Sequence, residues 1–186
     1  MGGTFNPIHR GHLLLAEGAG KLLRLDLLLW IPAHRPPHKE LDGRVSAADR
    51  ARLVEMAIRG HPTYRLSRVE LDRPPPSYTI DTVRRLRQEY PGKENRWFFL
   101  VGSENGRELP KWREIGELRR LVQFVAVRRP GDPVAGHLPA WVRPLPVATA
   151  NISSSQVRQR IRQGLEIRHL VPEPVARAIE QKGFYR

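Results

Sequence analysis

The amino-acid sequence predicts an α/β fold with a mostly parallel sheet and helices on both faces. Short, almost wholly apolar runs alternate with segments whose apolar residues recur at helical spacing. Prolines and glycines end several of the apolar runs, as in buried parallel strands. A length of 186 residues, with 40% hydrophobic and 27% charged residues, suits one globular domain over 1–186. We expect the carboxy-terminal helices, within 153–186, to belong to the same unit.

The first half of the chain gives the alternation in order. Residues 12–25 carry leucines and alanines near helical spacing and predict a helix. The apolar run 27–31 predicts a strand buried on both faces. Serine and aspartate at capping-box spacing predict a helix over 46–59, and the imperfect alternation of 64–71 predicts another strand.

The second half continues the same pattern after three consecutive prolines. Apolar runs predict strands over 97–101, 122–127 and 142–148. Helical spacing predicts helices over 77–90, 112–121, 153–163 and 174–182. Ligands of such folds bind beyond the carboxyl ends of the strands, so we expect the functional residues in the loops after the apolar runs.

The charge balance of the chain is strongly basic. The sequence has 32 lysines and arginines against 19 aspartates and glutamates, a net charge of +13. A solvated basic surface, attraction of a phosphate-bearing substrate and binding of nucleic acid each account for this excess. The aromatic residues do not interleave with the basic ones, which disfavours nucleic acid.

The composition also excludes several classes of protein. No apolar run approaches the ~20 residues that a membrane span requires, and we expect no export signal. Because the chain has no cysteine, it forms no disulfide, no thiolate zinc site and no cysteine nucleophile. This composition fits a reducing compartment, so we expect a cytoplasmic protein without a membrane partner.

The most informative segment lies near the amino terminus. Gly2 and Gly3 let a ligand approach the main chain closely, and His9 and His12 lie where the first helix should begin. The amino end of a helix favours phosphate, and two imidazoles there can donate hydrogen bonds to it. A glycine turn with one capping histidine also explains the pattern. A zinc site needs further ligands that the neighbouring sequence lacks.

Residues 2–12, GGTFNPIHRGH, resemble the GGTFDPxHxGH motif of the HxGH nucleotidyltransferases. The resemblance implies a Rossmann-like, doubly wound fold and transfer of a nucleotidyl group without a covalent intermediate. It implies that His9 and His12 are catalytic and contact the triphosphate. It also implies that ATP is bound by Gly2, Gly3, Thr4 and Phe5. Asn6 replaces the usual Asp of the motif, keeping a carbonyl acceptor but losing the charge.

Five further segments are similar to the bacterial nicotinate-nucleotide adenylyltransferases, namely those within 31–39, 75–82, 101–112, 152–158 and 170–185. The resemblance implies that ATP and nicotinate mononucleotide give deamido-NAD and pyrophosphate, a step of NAD biosynthesis. Mg2+ is expected with ATP, nucleic acid is not an expected partner, and a homo-oligomer remains open. Such direct transfer relies on positioning and charge stabilisation, which suits a chain without a candidate nucleophile.

The same resemblance assigns further residues. Additional ATP contacts would come from Lys39, Gly102, Glu104, Ser153, Ser154 and Ser155. Arg158 would be catalytic, because its planar fork can grip a phosphate at two points. The mononucleotide would be bound by Thr79, Trp112 and Arg113, and no protein residue is predicted as a metal ligand. A core tryptophan, an ordinary helix cap with a solvated arginine, and a plain surface lysine are the simpler interpretations of these residues.

One departure from the family concerns the first strand of the sheet. The family carries a strand directly before the GGTF residues, whereas here only Met1 precedes Gly2. We therefore expect this strand to be missing from the sheet. Three alternative functions stay open at this point: adenylyl transfer to pantetheine phosphate or to nicotinamide mononucleotide, binding of nucleic acid, and binding of ATP without turnover.

Overall fold

The computed structural model describes residues 1–34, 45–102, 108–127, 138–147 and 150–186. Within these residues the strands are β1 (Gly2–Gly3), β2 (Leu28–Pro32), β3 (Tyr64–Leu66), β4 (Phe98–Gly102), β5 (Gln123–Val127) and β6 (Arg143–Leu145). The helices are α1 (Arg10–Leu23), α2 (Ala47–Ile58), α3 (Thr79–Glu89), α4 (Ile115–Leu121), α5 (Ser154–Arg162) and α6 (Glu173–Lys182). A short 3-10 helix, Leu109–Lys111, precedes α4.

Every strand pair in this part of the chain is parallel. One group of strands has the order β1-β2-β3 and the other the order β4-β5-β6. The groups meet where β1 lies against β4, since a Cβ on Gly2 would lie 3.8 Å from the Phe99 ring. The resulting order, 3-2-1-4-5-6, is that of the doubly wound Rossmann fold and confirms the predicted fold class. The order reverses between β1 and β4.

Alternate strand residues face two cores, which explains why the strands read as continuous apolar runs. Trp30 of β2 and Val125 of β5 pack in one core with residues of α1, α2, α5 and α6. Ile31 packs on the opposite side with α3, and Phe124 packs there with α4. The helices therefore cover both faces of the sheet, as the sequence predicts.

The first strand, expected to be missing, is present in a short form. Gly2 pairs with Ile31 and Gly3 with Pro32, and the main-chain oxygen of Met1 accepts a 3.0 Å hydrogen bond from the Ile31 amide. The Met1 amino group donates to the Leu29 oxygen at 2.9 Å, and burial lowers its pKa to about 5. A cavity of about 640 Å³ lies beside Met1, between the residues of β2 and β4. Two glycines can form β1 because the hydrogen bonds of a parallel strand pair join main-chain groups only.

Two local details explain where the elements begin and come together. Ser46 caps α2 by accepting a 3.0 Å hydrogen bond from the Asp49 amide, as their spacing predicts. Gly18 lies inside α1, and a Cβ at this position would collide with the side chain of Val147, which follows β6. This glycine therefore allows close packing of the chain after β6 against α1.

No helix of the described ranges is long and apolar enough to cross a bilayer.

Candidate active site

The candidate site lies at the carboxyl ends of β1 and β4, where the strand order reverses. Gly3 ends β1 and Gly102 ends β4, and both are half-buried. Crevices at this position of open α/β sheets are the usual ligand sites of the fold. The sheet topology thus brings together two residues that the sequence analysis assigns to ATP.

The loop after β1 is shaped by Phe5. Its φ of 47° lies in the left-handed region, which a non-glycine residue adopts only when its surroundings hold it there. The buried ring lies 5.6 Å from the Trp30 ring and 5.1 Å from the His12 ring, centroid to centroid. A Cβ on Gly3 would lie 2.9 Å from the Phe5 ring. Within this structure, Gly3 therefore makes room for a side chain of the loop itself.

The two histidines form a stacked pair at the start of α1. Their ring centroids are 3.7 Å apart with an interplanar angle of 28°. The His9 amide donates to His12 Nδ1 at 3.2 Å, so the proton of a neutral His12 ring resides on Nε2. His9 is buried whereas His12 is half-buried. Gly11 leaves space for this pair, since a Cβ there would lie 3.0 Å from His9 Nδ1.

The amino end of α5 contacts the same loop from the far end of the sequence. The Ser154 hydroxyl donates to the Pro7 oxygen at 2.9 Å, and Arg158 donates to the Asn6 oxygen at 2.8 Å. Arg158 also donates to the Ser155 hydroxyl at 3.3 Å. These contacts bring the glycine-histidine segment and the serine-rich helix together in space.

Ser153 has a different role from that of its neighbour. Its hydroxyl accepts a 3.1 Å hydrogen bond from the Gln156 amide and so caps α5. The helix cap, which the sequence analysis left as the simpler interpretation, is therefore present at this serine. The capped amino end of α5 and its partial positive charge lie beside the loop that carries the histidines.

Arg50 of α2 is a residue that the sequence analysis did not single out. Its side chain is fully buried and donates to three main-chain oxygens: those of Thr4, of Ala33 at 2.7 Å and of His34 at 3.0 Å. Desolvation lowers the pKa of its guanidinium. The side chain thereby ties the loop after β1 to the chain after β2.

A sequence pattern does point to Arg50. It occupies a position on α2 whose neighbours at helical spacing, Leu53, Val54 and Ala57, are all buried. A charged residue on the apolar face of a helix needs polar partners in the interior. Those partners are carbonyl groups of two loops, which periodicity cannot identify.

The residues assigned to the mononucleotide come together near the amino end of α3. Thr79 is the first residue of α3, and the Arg113 guanidinium stacks over the adjacent Tyr78 ring at 4.8 Å. Trp112 is half-buried, and its ring packs edge-on against Phe99 at 5.7 Å. Part of Trp112 therefore belongs to a core, and the remainder is accessible beside Arg113.

A buried polar network supports this part of the site. Arg73 donates to the Tyr78 oxygen at 2.9 Å and to the Thr82 hydroxyl at 2.7 Å. Thr82 in turn donates to Glu70 at 2.8 Å, and desolvation raises the pKa of this carboxyl. The network fixes the residue that precedes Thr79.

Two assigned residues, Lys39 and Glu104, lie outside the described residues. In the part of the chain that the structure describes, no group of three or more His, Cys, Asp or Glu side chains is arranged to hold a metal ion. The described site thus consists of imidazole, guanidinium and hydroxyl groups with main-chain amides, a set of donors suited to phosphate.

Comparison with known proteins gives the family. Residues 1–160 match the Cytidylyltransferase-like family model. A curated relative from Synechococcus sp. (strain JA-3-3Ab), named "probable nicotinate-nucleotide adenylyltransferase", is 42% identical over 193 residues, covering 100% of this chain and 92% of the relative. One of the same name from Geobacillus thermodenitrificans (strain NG80-2) is 41% identical over 185 residues, covering 100% of this chain and 84% of the relative.

A solved structure agrees with the fold. Plasmodium falciparum nicotinic acid mononucleotide adenylyltransferase complexed with NaAD has a TM-score of 0.79 at 18% identity, covering 99% of this chain and 94% of that chain. The identity to the curated relatives extends over the whole length of this chain. This chain therefore belongs to the nicotinate-nucleotide adenylyltransferases, within the cytidylyltransferase-like family of nucleotidyltransferases.

Proposed function

We propose that this protein transfers the adenylyl group of ATP to nicotinate mononucleotide, giving deamido-NAD and pyrophosphate. The observation that carries the proposal is the contact between two segments from opposite ends of the chain, both of which the resemblance assigns to the triphosphate. Ser154 contacts Pro7 at 2.9 Å and Arg158 contacts Asn6 at 2.8 Å, beside the paired histidines. Relatives with 41–42% identity carry the name of this activity.

The proposed reaction needs positioned donors and no protein nucleophile. An oxygen of the mononucleotide 5′-phosphate attacks the α-phosphorus of ATP, and the bond to the departing pyrophosphate breaks in line with it. Negative charge then grows on the leaving group. His12 would donate from Nε2 to these oxygens, with Arg158 and the main-chain amides at the amino end of α5 as further donors. The stacked His9 would fix the position of His12.

Mg2+ would enter this site together with ATP. When bound, Mg2+ would neutralise part of the phosphate charge. This ion usually keeps several water ligands in addition to phosphate oxygens. The described residues offer no three-carboxylate or histidine cluster for a tightly held ion. We therefore expect its ligands to be mainly phosphate and water, with the protein donors acting on the remaining phosphate oxygens.

The pyridine ring would lie against the accessible part of Trp112. Thr79 and the amide of Arg113 would meet the pyridine carboxylate. The Arg113 side chain is exposed, lies over Tyr78 and pairs with Glu114 at 3.4 Å, and its guanidinium presents further N–H groups at this end of the site. A guanidinium favours a carboxylate over a neutral amide, which supports nicotinate over nicotinamide mononucleotide as the substrate. A cytoplasmic location and a homo-oligomer stay predictions.

The test measures pyrophosphate release from ATP with each of three acceptors: nicotinate mononucleotide, nicotinamide mononucleotide and pantetheine phosphate. We expect the highest kcat/KM with nicotinate mononucleotide, and a smaller preference over the amide in Arg113→Gln. His12→Ala should reduce kcat by about a hundredfold or more. His169→Ala, at an exposed histidine on the chain between α5 and α6, is the matched control.

Three outcomes would overturn the proposal. Faster turnover of another acceptor would assign a different adenylyltransferase activity. Binding of ATP without turnover of any acceptor would indicate an inactive member of the family. Strongly salt-dependent affinity for DNA or RNA, with no turnover, would indicate a nucleic-acid-binding protein.

A further inference from the structure

A second concave surface lies at the opposite edge of the sheet from the candidate active site. A cavity of about 760 Å³ opens at the amino ends of β4, β5 and β6, where Phe98, Gln123 and Arg143 begin these strands. Because the strands are parallel, their amino ends point away from the crevice at Gly3 and Gly102. This cavity is therefore separate from the proposed catalytic site.

Arginines from three elements and from the segment before β4 line this cavity, which we call the arginine cavity. They are Arg87 of α3, Arg96 before β4, Arg119 and Arg120 of α4, and Arg143 of β6. No aspartate or glutamate lines it among the described residues. The fold thus gathers five guanidinium groups from three parts of the sequence, around residues 87–96, 119–120 and 143.

These arginines have no ion-pair partner within the described part of the chain. At the start of the helix that carries Arg119 and Arg120, Glu114 and Glu117 both bind Arg84, and Arg120 has only an electrostatic interaction with Glu117. Charges of one sign gathered in a concave surface raise the positive potential there. The cavity is thus complementary to an anion of high charge.

Aromatic side chains hold two of the guanidinium planes in place. Arg119 lies over the Trp141 ring at 4.9 Å and Arg96 lies over the Phe98 ring at 5.6 Å. Stacking uses the flat face of the guanidinium and leaves its N–H edge for a ligand. Arg87 donates to the Leu121 oxygen at 3.2 Å, which fixes a third side chain at the rim. The cavity is partly preorganised, so less side-chain entropy is lost on binding.

We propose that the arginine cavity binds a small anion carrying two or more phosphate groups, at a site distinct from the catalytic crevice. Its volume of about 760 Å³ falls within the range of small-molecule sites, about 300–1,000 Å³. A single phosphate is gripped by one or two arginine forks, whereas five exposed arginines along one concave surface match a longer chain of phosphates. The half-buried Trp97 adds apolar surface to the lining, which suits a nucleotide base.

The test counts binding sites for inorganic triphosphate by isothermal titration calorimetry on the full chain. We expect two equivalents to bind to the wild-type protein. The double variant Arg119→Gln with Arg143→Gln should lower the affinity of the arginine cavity for triphosphate by about tenfold or more. It should leave kcat unchanged. His12→Ala should lower only the affinity of the catalytic crevice for triphosphate. Repeating the titration with ATP and AMP distinguishes a nucleotide from free phosphates as the ligand.

A charge-matched control separates a local site from the general basic surface. Arg85→Gln with Arg177→Gln removes the same two charges from side chains that do not line the cavity and that pair with Glu89 and Glu173. Its triphosphate affinity should equal that of the wild type. Circular dichroism checks that each variant is folded. If the double variant in the cavity does not fold, the single variant Arg143→Gln, at an exposed residue, replaces it.

Several results would overturn the proposal. One equivalent in the wild type, lost in His12→Ala, would place all triphosphate binding in the catalytic crevice. Equal losses in the cavity variant and in its control would indicate general electrostatics. Binding of a single-stranded RNA that depends on Arg119 and Arg143, without binding of triphosphate, would identify a nucleic-acid surface instead.

Discussion

The guanidinium of Arg158 donates a 2.8 Å hydrogen bond to the main-chain oxygen of Asn6, across 152 positions of the sequence. This bond couples α5 to the loop that precedes the paired histidines. It needs only the carbonyl of residue 6, so the side-chain exchange of Asp for Asn leaves it intact. Arg158 keeps further N–H groups, one of which contacts Ser155. The bond therefore orients the Arg158 side chain against this loop.

Replacing Arg158 by Lys tests this two-sided role. An ammonium keeps the charge but lacks the planar fork, so it cannot hold the loop oxygen and a phosphate in the same geometry. We expect kcat/KM for pyrophosphate release to fall by about tenfold to a hundredfold, with little change in the free energy of unfolding. Arg160→Lys is the control, since its partner is the Glu166 oxygen. Full activity of Arg158→Lys would contradict the assignment.

Gly11→Ala tests the histidine pair through the backbone. The new Cβ would lie 3.0 Å from His9 Nδ1, so the His9 ring must move and the stack with His12 is disturbed. We expect kcat to fall by about tenfold or more while the protein stays folded. Gly20→Ala is the matched control in the same helix, because its Cβ meets nothing within 4 Å. It should stabilise the protein by about 0.5–1 kcal/mol without loss of activity.

Arg50→Met tests the buried arginine of α2. The substitution leaves the oxygens of Thr4, Ala33 and His34 without this donor in the interior. We expect the free energy of unfolding to fall by about 3 kcal/mol or more, measured by denaturant titration. Arg52→Met, at an exposed residue paired with Asp49 at 3.5 Å, should change it by less than about 1 kcal/mol. Similar losses in both variants would rule out a special role for Arg50.

Trp112→Phe tests the proposed stacking on the pyridine ring. The smaller ring preserves most of the packing on Phe99 and reduces the accessible aromatic surface. We expect the KM for nicotinate mononucleotide to rise by about fivefold to tenfold, while the KM for ATP changes by less than about twofold. Steady-state kinetics with each substrate varied in turn separates the effects. Equal changes in both KM values would assign Trp112 to the core alone.

Glu70→Gln tests the buried carboxyl beneath α3. Desolvation raises the pKa of Glu70 in the folded protein, although Thr82, Arg73 and the Met1 amino group oppose the shift. The folded state thus binds more protons than the unfolded state between the ordinary pKa near 4.5 and the raised value. The contribution of Glu70 to stability is therefore lost as pH rises through this window.

The variant lacks this contribution, so its stability relative to the wild type should increase from pH 4.5 upwards. Denaturant titrations at several pH values measure the difference. The Gln oxygen can still accept from Thr82, which limits other changes. Parallel stability curves for the two proteins would show that Glu70 does not titrate differently in the folded state.

The local pattern of the sequence was sufficient for the succession of elements. Alternation of apolar runs with helical spacing predicted β2, β4 and β5 and all six helices to within a few residues, because burial on the sheet is encoded in nearby residues. The helix cap at Ser46 and the helix that follows Ser153 were also predicted from neighbouring residues alone. The strand β3 ended earlier than its alternation indicated, at Leu66.

The meeting of distant segments was decided by the tertiary structure. The motifs named the histidines and Arg158, but only the strand order brought the loop after β1 to α5. The tautomer of His12, the space that Gly3 leaves for Phe5 and the burial of Arg50 depend on contacts outside any local window. The arginine cavity likewise exists only because α3, α4 and the amino ends of β4 and β6 meet at one edge of the sheet. Periodicity records which side of an element is buried, whereas the partner on that side is fixed by the packing of the whole chain.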